Sequence, residues 1–518
     1  MILTLLLKKA RGNGKISAEH FIFLSFPAAG EAQKMTIFLA CLLCFTTIFE
    51  KGKAPLNKYK KLAANTMIFA IGTFSSKLLV FFLMPFYTRI LSSSEYGTVD
   101  IIVQTANLLI PIASLGINNA VIRFALEKKS NKSEVFSIGL FTILGGFALT
   151  GVLSVFLERV ELLKGYTWLI LLFVICSNLN TLCIYFIRSI GYSRLYALDG
   201  ILRTILMILL NILFLAVFKL GVTGYVLASV LSDAISVVFL FFFMRLDRYI
   251  SLRAISKICA KDMLLYSLPL IPTTVCNWVV SLSDRYVITY VLGTAENGLY
   301  AVANKIPTVM VIIAGIFSDA WQISAVKEEG GGDLARFYSK VFHAYQAVAF
   351  TASSYLIITA KLTTTLLAAP SYYISWRYIP FLVVATTISC FSSFLGSVYM
   401  VYKKSGYTLW TMVAGALANI ALNLLWIPKY GVQGAIAATL AAYVLMFFVR
   451  AVTSRRFIRI RYRMGPLMLN TLIVTAQSFI MIFEVPYWLP IEIGLTLLIT
   501  LVNLPSLFGM ARKVLRRG

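Results

Sequence analysis

The chain alternates between apolar runs of about 20 residues and short polar segments. A helix of about 20 apolar residues crosses the hydrocarbon core of a bilayer, which is about 30 Å thick. The connections between the runs are short, and none is long enough to fold as a separate domain. The pattern therefore predicts an all-α polytopic membrane protein. Windows of about 19 residues predict fourteen transmembrane helices, at residues 64–86, 98–120, 135–157, 165–187, 199–219, 221–244, 263–291, 299–325, 338–360, 376–402, 405–427, 431–453, 465–485 and 488–509.

The first 57 residues break this pattern. A mixed stretch, 11–34, precedes an apolar run, 35–49, that is short for a span. The run lacks a basic segment directly before it and a small-residue cleavage site after it, so it does not resemble a signal peptide. We treat residues 1–57 as an N-terminal extension and expect the native chain to begin near Leu56, where a basic segment leads into the first span. N-terminal sequencing tests this expectation, and recovery of Met1 would refute it.

Basic residues cluster in alternate connections along the chain. The sequence has 47 Lys and Arg residues against 21 Asp and Glu residues, which gives a net charge of +26. With the N-terminus inside, about 26 basic residues fall in cytoplasmic segments and about 7 in outer segments, as expected when positive loops are retained inside. Both termini are therefore predicted to be cytoplasmic. Because the charge follows the spans instead of forming one basic surface, we do not expect nucleic acid as a partner.

The composition agrees with a membrane location. Hydrophobic residues make up 59% and charged residues 13%, with a mean hydropathy of +0.84, whereas soluble domains have about 45–50% and about 25%. The seven cysteines are scattered and the only histidines are His20 and His343, so we predict neither a disulfide framework nor a metal site. The sequence contains no Walker A motif and no motif of a covalent nucleophile. We therefore expect no cofactor and no enzymatic activity.

Two short motifs recur at an offset of about 200 residues, or six spans. Residues 91–97 (LSSSEYG) are echoed by 292–298 (LGTAENG), and residues 221–224 (GVTG) by 431–434 (GVQG). Motifs this short also recur by chance in apolar sequence, but these keep the same order in both halves.

The repeat predicts the domain organisation. An even number of spans gives two halves of the same orientation, which face each other across a central cavity. We predict two pseudo-symmetric six-helix lobes, 58–262 and 263–462, followed by two further helices and a basic tail in 463–518.

Motifs around the first, second, seventh and eighth spans carry a family resemblance. In the first half they are Asn65-Thr-Met67, Gly72, Ser76-Lys77, Pro85, Thr88-Arg89-Ile-Leu-Ser92, Glu95-Tyr96-Gly97, Asp100, Pro111, Leu115-Gly116-Ile117, Ala120 and Arg123-Phe124. In the second half they are Ser267-Leu-Pro269, Pro272, Asp284-Arg285-Tyr286, Gly293, Gly298-Leu-Tyr300 and Lys305. With these residues the chain resembles the oligosaccharide flippases, including the O-antigen flippases, of the multidrug/oligosaccharidyl-lipid/polysaccharide exporter superfamily. The resemblance extends from about Lys58 to the end, and residues 1–55 have no counterpart in it.

The resemblance implies a transporter of the bacterial cytoplasmic membrane, with a twelve-helix core and two extra C-terminal helices. Its substrate would be a polyprenyl-diphosphate-linked oligosaccharide, moved to the outer leaflet by alternating access for O-antigen-like or capsule-like polysaccharide biosynthesis. The polysaccharide polymerase machinery would be a further partner. A lipid II-type or sporulation-related flippase and a multidrug/cation antiporter share this fold and stay open as alternatives. A polysaccharide polymerase is the alternative from another class, but it would need a large outer loop for its catalytic residues.

A diphosphate group that crosses the hydrocarbon needs a hydrated, cationic path, so charged residues inside spans are the candidate site residues. Lys77 and Lys305 either contact the anion or belong to buried pairs. Arg285 either pairs internally with Asp284 or grips phosphate. For the acidic residues, a hydrogen-bonded structural role is favoured over coupling to a cation. The basic candidates are Lys77, Arg285 and Lys305 within spans and Arg89, Arg123 and Arg203 near span ends, where a role at the lipid headgroups is equally open, and the acidic candidates are Asp233, Asp284 and Asp319.

Overall fold

The computed structural model describes residues 81–127, 130–315, 334–402 and 404–515. These residues all belong to one compact unit, Asn65–Gly518. Helices and turns make up the described part of the chain, and it contains no strand.

The described helices of the first half are α1 (Met84–Ile90), α2 (Ser93–Ala113), α3 (Ile117–Ala125), α4 (Lys132–Leu157), α5 (Thr167–Ser189), α6 (Ser193–Asn211) and α7 (Gly221–Phe243). Those of the second half are α8 (Lys257–Ser267), α9 (Leu270–Leu282), α10 (Asp284–Leu292), α11 (Thr294–Ala303), α12 (Leu334–Ile358), α13 (Ala360–Leu367), α14 (Ile379–Val401) and α15 (Ser405–Thr453). Two further helices, α16 (Met464–Ile482) and α17 (Trp488–Leu515), end the chain. Residues 305–315 extend the course of α11 as a helix.

Twelve helices of the described part are long and apolar enough to cross a membrane. The longest, α15, consists of two helices joined at Gly431, whose φ of 62° is a left-handed conformation that favours glycine. Gly221, its counterpart in the other copy of the repeat, has a φ of 53°. The predicted first span, 64–86, lies largely outside the described residues, so the count of fourteen stays a prediction.

Two predicted spans need correction. The second was placed at 98–120, but α2 begins at Ser93 because Ser92 and Glu95 form a capping box that satisfies the first free N–H groups. The seventh was placed at 263–291 as one helix. It is divided into α8, α9 and α10, with the first break at Pro269, which has no N–H to donate to the preceding turn.

Buried apolar side chains form separate clusters in the two halves. One cluster has buried members at residues 117–246 of the first half and at Met263 of α8. The largest draws its buried members from residues 288–499, in the second half and the two C-terminal helices. A third cluster belongs mainly to the first half but includes Ala301, Val302 and Tyr372. The two halves therefore meet along α11 and the segment that follows α13.

Candidate functional site

The two halves meet where α2 crosses α11, and the crossing is formed by the two copies of the repeated motif. A β-carbon on Gly97 would lie 1.9 Å from the carbonyl oxygen of Thr294, and one on Gly298 would lie 1.9 Å from that of Ser93. Only glycine at both positions allows this approach. The hydroxyl groups of Ser94 and Thr294 are 2.7 Å apart. We call this contact the junction.

A buried ion pair crosses the junction, one turn further along α2. Arg285 Nη1, on α10, donates to Asp100 Oδ2, on α2. The side chains are 8% and 9% exposed. Asn297 Nδ2 donates to the carbonyl oxygen of Gly97 at 3.0 Å and lies 3.5 Å from Asp100 Oδ2. The pair therefore holds the two halves together where water has little access.

Arg285 pairs with Asp100 and not with Asp284, which the sequence offered as one of two alternatives for this residue. Asp100 is not among the predicted site residues. Asp100 lies inside the predicted second span, 98–120, so the rule that charges within spans are functional candidates would have found it.

Asp284 is buried in a network of hydrogen bonds within the second half. Its Oδ1 accepts the backbone N–H of Arg285 at 2.9 Å, and its Oδ2 accepts the hydroxyl of Tyr300. Thr439 Oγ1, on α15, lies 3.5 Å from Oδ2 and accepts from Asn419 Nδ2 at 3.2 Å. The carboxylate thus links α10, α11 and α15, which fits the structural role considered for it.

Lys305 is a predicted site residue that lacks an ion-pair partner in the described part of the chain. It lies in the helix 305–315 and is partly buried. It forms no hydrogen bond or ion pair with any described residue, and its ammonium group interacts electrostatically with Tyr225 of α7. Lys305 therefore places a positive charge between the halves, and no carboxylate among the described residues neutralises it.

A second polar network joins α5, α6 and α7 within the first half. Arg203 Nη1 lies 2.9 Å from Asp233 Oδ1 and 3.2 Å from Asn180 Oδ1. Asn180 Nδ2 donates to Ser236 Oγ, which donates to Asp199 Oδ1, both at 2.6 Å. The Arg203 side chain is 40% exposed and that of Asp233 is 10% exposed. Asp233 is therefore neutralised, while Arg203 keeps access to its surroundings.

The remaining predicted residues lie apart from the junction or outside the described part. Arg89 is exposed at the end of α1, and Arg123 is exposed on α3 with its guanidinium 5.0 Å from the ring centre of Tyr266. Lys77 and Asp319 lie outside the described residues. Their predicted roles stay predictions.

A small cavity of about 130 Å³ opens where α2, α3 and α5 of the first half approach α9 of the second. It lies near the end of α2 that is remote from the junction. Its lining carries hydroxyl and amide groups and no charged residue: Ile110, Pro111, Ser114, Gly116, Asn118, Asn119, Thr181, Tyr185, Leu270, Ile271 and Thr274. Asn118 Oδ1 is buried and accepts no hydrogen bond from the described residues. No group of three or more His, Cys, Asp or Glu side chains suited to a metal occurs in the ranges described.

Solved structures of other proteins share the fold of this chain. An inward-facing multidrug resistance MATE family transporter of the MOP superfamily matches with a TM-score of 0.63 at 16% identity, over 75% of this chain and 98% of that one. Lipid II flippase MurJ in an inward closed conformation matches with a TM-score of 0.62 at 15% identity, over 87% and 100%. An outward-facing MATE family transporter matches with a TM-score of 0.55 at 16% identity, over 76% and 94%. The chain has the fold of MOP-superfamily transporters.

The family follows from the sequence itself. The model of a family described as polysaccharide biosynthesis protein matches residues 86–375, more than half of the chain. The chain belongs to this family. None of the curated proteins matches it. The family resemblance and the all-α polytopic fold predicted from the sequence are confirmed.

Proposed function

We propose that this protein is a flippase for polysaccharide biosynthesis. It moves polyprenyl-diphosphate-linked oligosaccharide units from the cytoplasmic to the outer leaflet of the bacterial cytoplasmic membrane by alternating access. Its family is one of polysaccharide biosynthesis proteins, and its fold is shared by transporters and flippases. The proposal extends these two facts to a substrate and a direction.

The uncompensated charge of Lys305 is the observation that carries the proposal. A charged group at membrane depth is costly, and such groups are paired or serve a transported ion. Lys305 forms no ion pair with a described residue. A diphosphate is the anion that this substrate would bring to it, and the lipid tail stays in the bilayer. Arg203, which is 40% exposed, is a second cation that the substrate could meet.

The sign of the available charge argues against a cation as the cargo. Among the described residues between the halves, Asp100 is neutralised by Arg285, and Asp284 accepts hydrogen bonds from Tyr300 and a backbone N–H. A cation antiporter would need an acidic group free to bind its substrate. Lys305, which has no ion-pair partner among the described residues, is positive and would repel a cation.

The neutral cavity suits the sugar part of the substrate. Sugar hydroxyl groups both donate and accept hydrogen bonds, and amides and hydroxyls offer the complementary groups. Asn118 Oδ1 is a buried acceptor that has no donor among the described residues, and Asn119, Thr181 and Tyr185 line the same space. We assign the oligosaccharide to the neutral cavity and the diphosphate to the cations Lys305 and Arg203.

The junction acts as the gate in this mechanism. The distribution of basic residues places the start of α2 and of α11 at the outer face, so a closed junction shuts the outer exit. Opening separates α2 from α11, and it separates Asp100 from Arg285 because these residues belong to opposite halves. The substrate then leaves toward the outer leaflet.

Loss of the protein in its host tests the proposal. Mass spectrometry of the accumulated polyprenyl-linked lipids should find the completed repeat unit, on the cytoplasmic side. Accumulation of lipid II would instead indicate a lipid II-type flippase. Outer-leaflet units that remain unpolymerised would indicate a polymerase and refute the proposal.

A further inference from the structure

A buried carboxyl group lies at the contact between the C-terminal helices and the rest of the second half. The side chains of Glu492, on α17, and Gln477, on α16, are fully buried at 0% exposure. Gln477 Nε2 donates to Glu492 Oε2 at 2.8 Å and to Thr496 Oγ1 at 3.0 Å. Ser354, on α12, donates to the same Thr496 oxygen at 3.1 Å. Three helices therefore meet at this carboxyl group.

Within the described part of the chain, no cation faces Glu492 from the helices around it. Helices α14 and α16 contain no charged residue, and α17 has none between Glu492 and Arg512. On α12, the residue nearest to Ser354 that can carry a positive charge is His343. It precedes Ser354 by eleven residues, which is about 16 Å along the helix. Tyr345 and Tyr355, also on α12, carry phenol groups, which supply no positive charge.

The basic side chains near the start of α17 already have an acidic partner. Lys361 forms an ion pair with Glu484 at 2.5 Å, and its ammonium lies 4.4 Å from the ring centres of Trp376 and Trp488. Arg377 lies 3.9 Å from the same Glu484. If Glu492 were ionised, its charge would therefore be buried at membrane depth without a counter-ion.

Two oxygen atoms at this site have no hydrogen-bond donor. Glu492 Oε1 and Gln477 Oε1 are both buried, and neither has a partner among the described residues. An ionised carboxylate would leave two unsatisfied acceptors as well as the charge, and each unsatisfied buried group destabilises the fold. One proton on the carboxyl group removes the charge and supplies the donor that the pair lacks.

We propose that Glu492 is a proton-binding site. The carboxylate takes a proton from water to become a carboxylic acid, whose O–H donates to Gln477 Oε1 while Gln477 Nε2 donates to Glu492 Oε2. The two side chains then form a closed acid–amide pair that joins α17 to α16. A metal ion fits less well, because hard cations take about six oxygen ligands or more and the two unpartnered oxygens are the ones this pair offers.

The bound proton makes the attachment of α17 sensitive to pH. At alkaline pH the acid loses its proton, the O–H bond to Gln477 is lost, and a bare charge remains between α12, α16 and α17. At lower pH, down to the pKa of glutamate in the unfolded chain, the folded protein holds a proton that the unfolded chain has already released, so stability falls as pH rises through this range. This property is independent of the substrate pathway at Lys305.

Thermal unfolding of the full-length protein in detergent, measured across pH, tests the proposal with Glu492→Gln as the variant. Glutamine supplies an N–H in place of the acid O–H, so the variant should match the wild type at acidic pH, where the wild-type carboxyl is protonated in both the folded and the unfolded protein. The wild-type unfolding constant should rise by about tenfold per pH unit between the pKa of glutamate in an unfolded chain, about 4.3, and the pH at which the folded site loses its proton, and the variant should lack this component. Glu484→Gln, in an exposed loop, should keep it.

Infrared spectra of the same samples give a second readout. The wild type should show the carbonyl band of a protonated carboxyl group that disappears at alkaline pH and is missing in Glu492→Gln. Absence of that band, or an unchanged pH dependence in the variant, would overturn the proposal. Stabilisation of the wild type by sodium chloride over choline chloride at fixed pH would assign the site to a metal ion instead.

Discussion

Arg285 and Lys305 are both cations between the halves, but their surroundings predict different effects when they are replaced. Arg285 is buried against Asp100, and its guanidinium carbon lies 5.8 Å from the ring centre of Tyr300. Lys305 has no carboxylate partner in the described residues. Removing the first leaves a buried anion, whereas removing the second leaves no group unsatisfied.

We predict that Arg285→Gln lowers the free energy of unfolding by about 3–5 kcal/mol, because Asp100 is left as an unpaired buried charge. The double variant Asp100→Asn/Arg285→Gln should recover much of this loss, since it removes both charges. Denaturation in detergent with a double-mutant cycle measures the coupling. Additive losses in the two single variants would contradict the ion pair.

For Lys305→Gln we expect transport to fall by about tenfold or more, which corresponds to about 1.4 kcal/mol in the barrier, while the melting temperature stays unchanged. The reason is that the substrate diphosphate loses a charge partner but the protein loses none. Lys305→Arg should retain activity. Lys429→Gln, an exposed residue of α15, is the matched control, and an equal effect there would argue against a cationic path.

At the scale of helices, the crossing of α2 and α11 depends on two glycines. An added β-carbon on Gly298 would meet the carbonyl oxygen of Ser93 at 1.9 Å, and backbone atoms cannot move aside as a flexible side chain can. We predict that Gly298→Ala prevents closure of the junction. Labelling of a cysteine at position 94 by a membrane-impermeant reagent should increase, while Gly494→Ala, which has open space around it, leaves labelling unchanged.

The same crossing can be locked. The hydroxyl groups of Ser94 and Thr294 are 2.7 Å apart, so cysteines at both positions should form a disulfide under oxidation. Because alternating access requires this contact to open, transport should stop in the oxidised double variant and return with a reductant. Each single cysteine variant should be insensitive to both treatments. Transport that persists in the cross-linked protein would exclude the junction as a gate.

Helix ends show which parts of the fold the sequence could predict. Apolar run length predicted the spans, and the start of α2 at Ser93 could have been read from the Ser92 and Glu95 capping pattern. Pro269 could have predicted the division of the seventh span, whereas the hydropathy of that span gave no sign of it. Hydropathy averages over a window, and local backbone chemistry decides where a helix begins or breaks.

At the scale of the whole molecule, the contacts between the halves were the part that the sequence could not predict. The repeat indicated two related halves, yet it did not indicate that Gly97 and Gly298 touch. Asp100 and Arg285 are separated by 185 positions, and no local pattern relates them. That Lys305 has no ion-pair partner among the described residues likewise depends on how the two lobes pack, whereas its position within a span could be predicted from hydropathy alone.

The most direct test of the flippase is translocation in proteoliposomes. The polyprenyl-diphosphate-linked oligosaccharide that accumulates in a strain lacking the protein is incorporated into one leaflet, and exposure of its sugars to an impermeant oxidant reports crossing. Wild-type protein should speed crossing, the oxidised Ser94→Cys/Thr294→Cys protein should not, and reduction should restore it. Crossing at the same rate in protein-free, wild-type and locked vesicles would contradict the account.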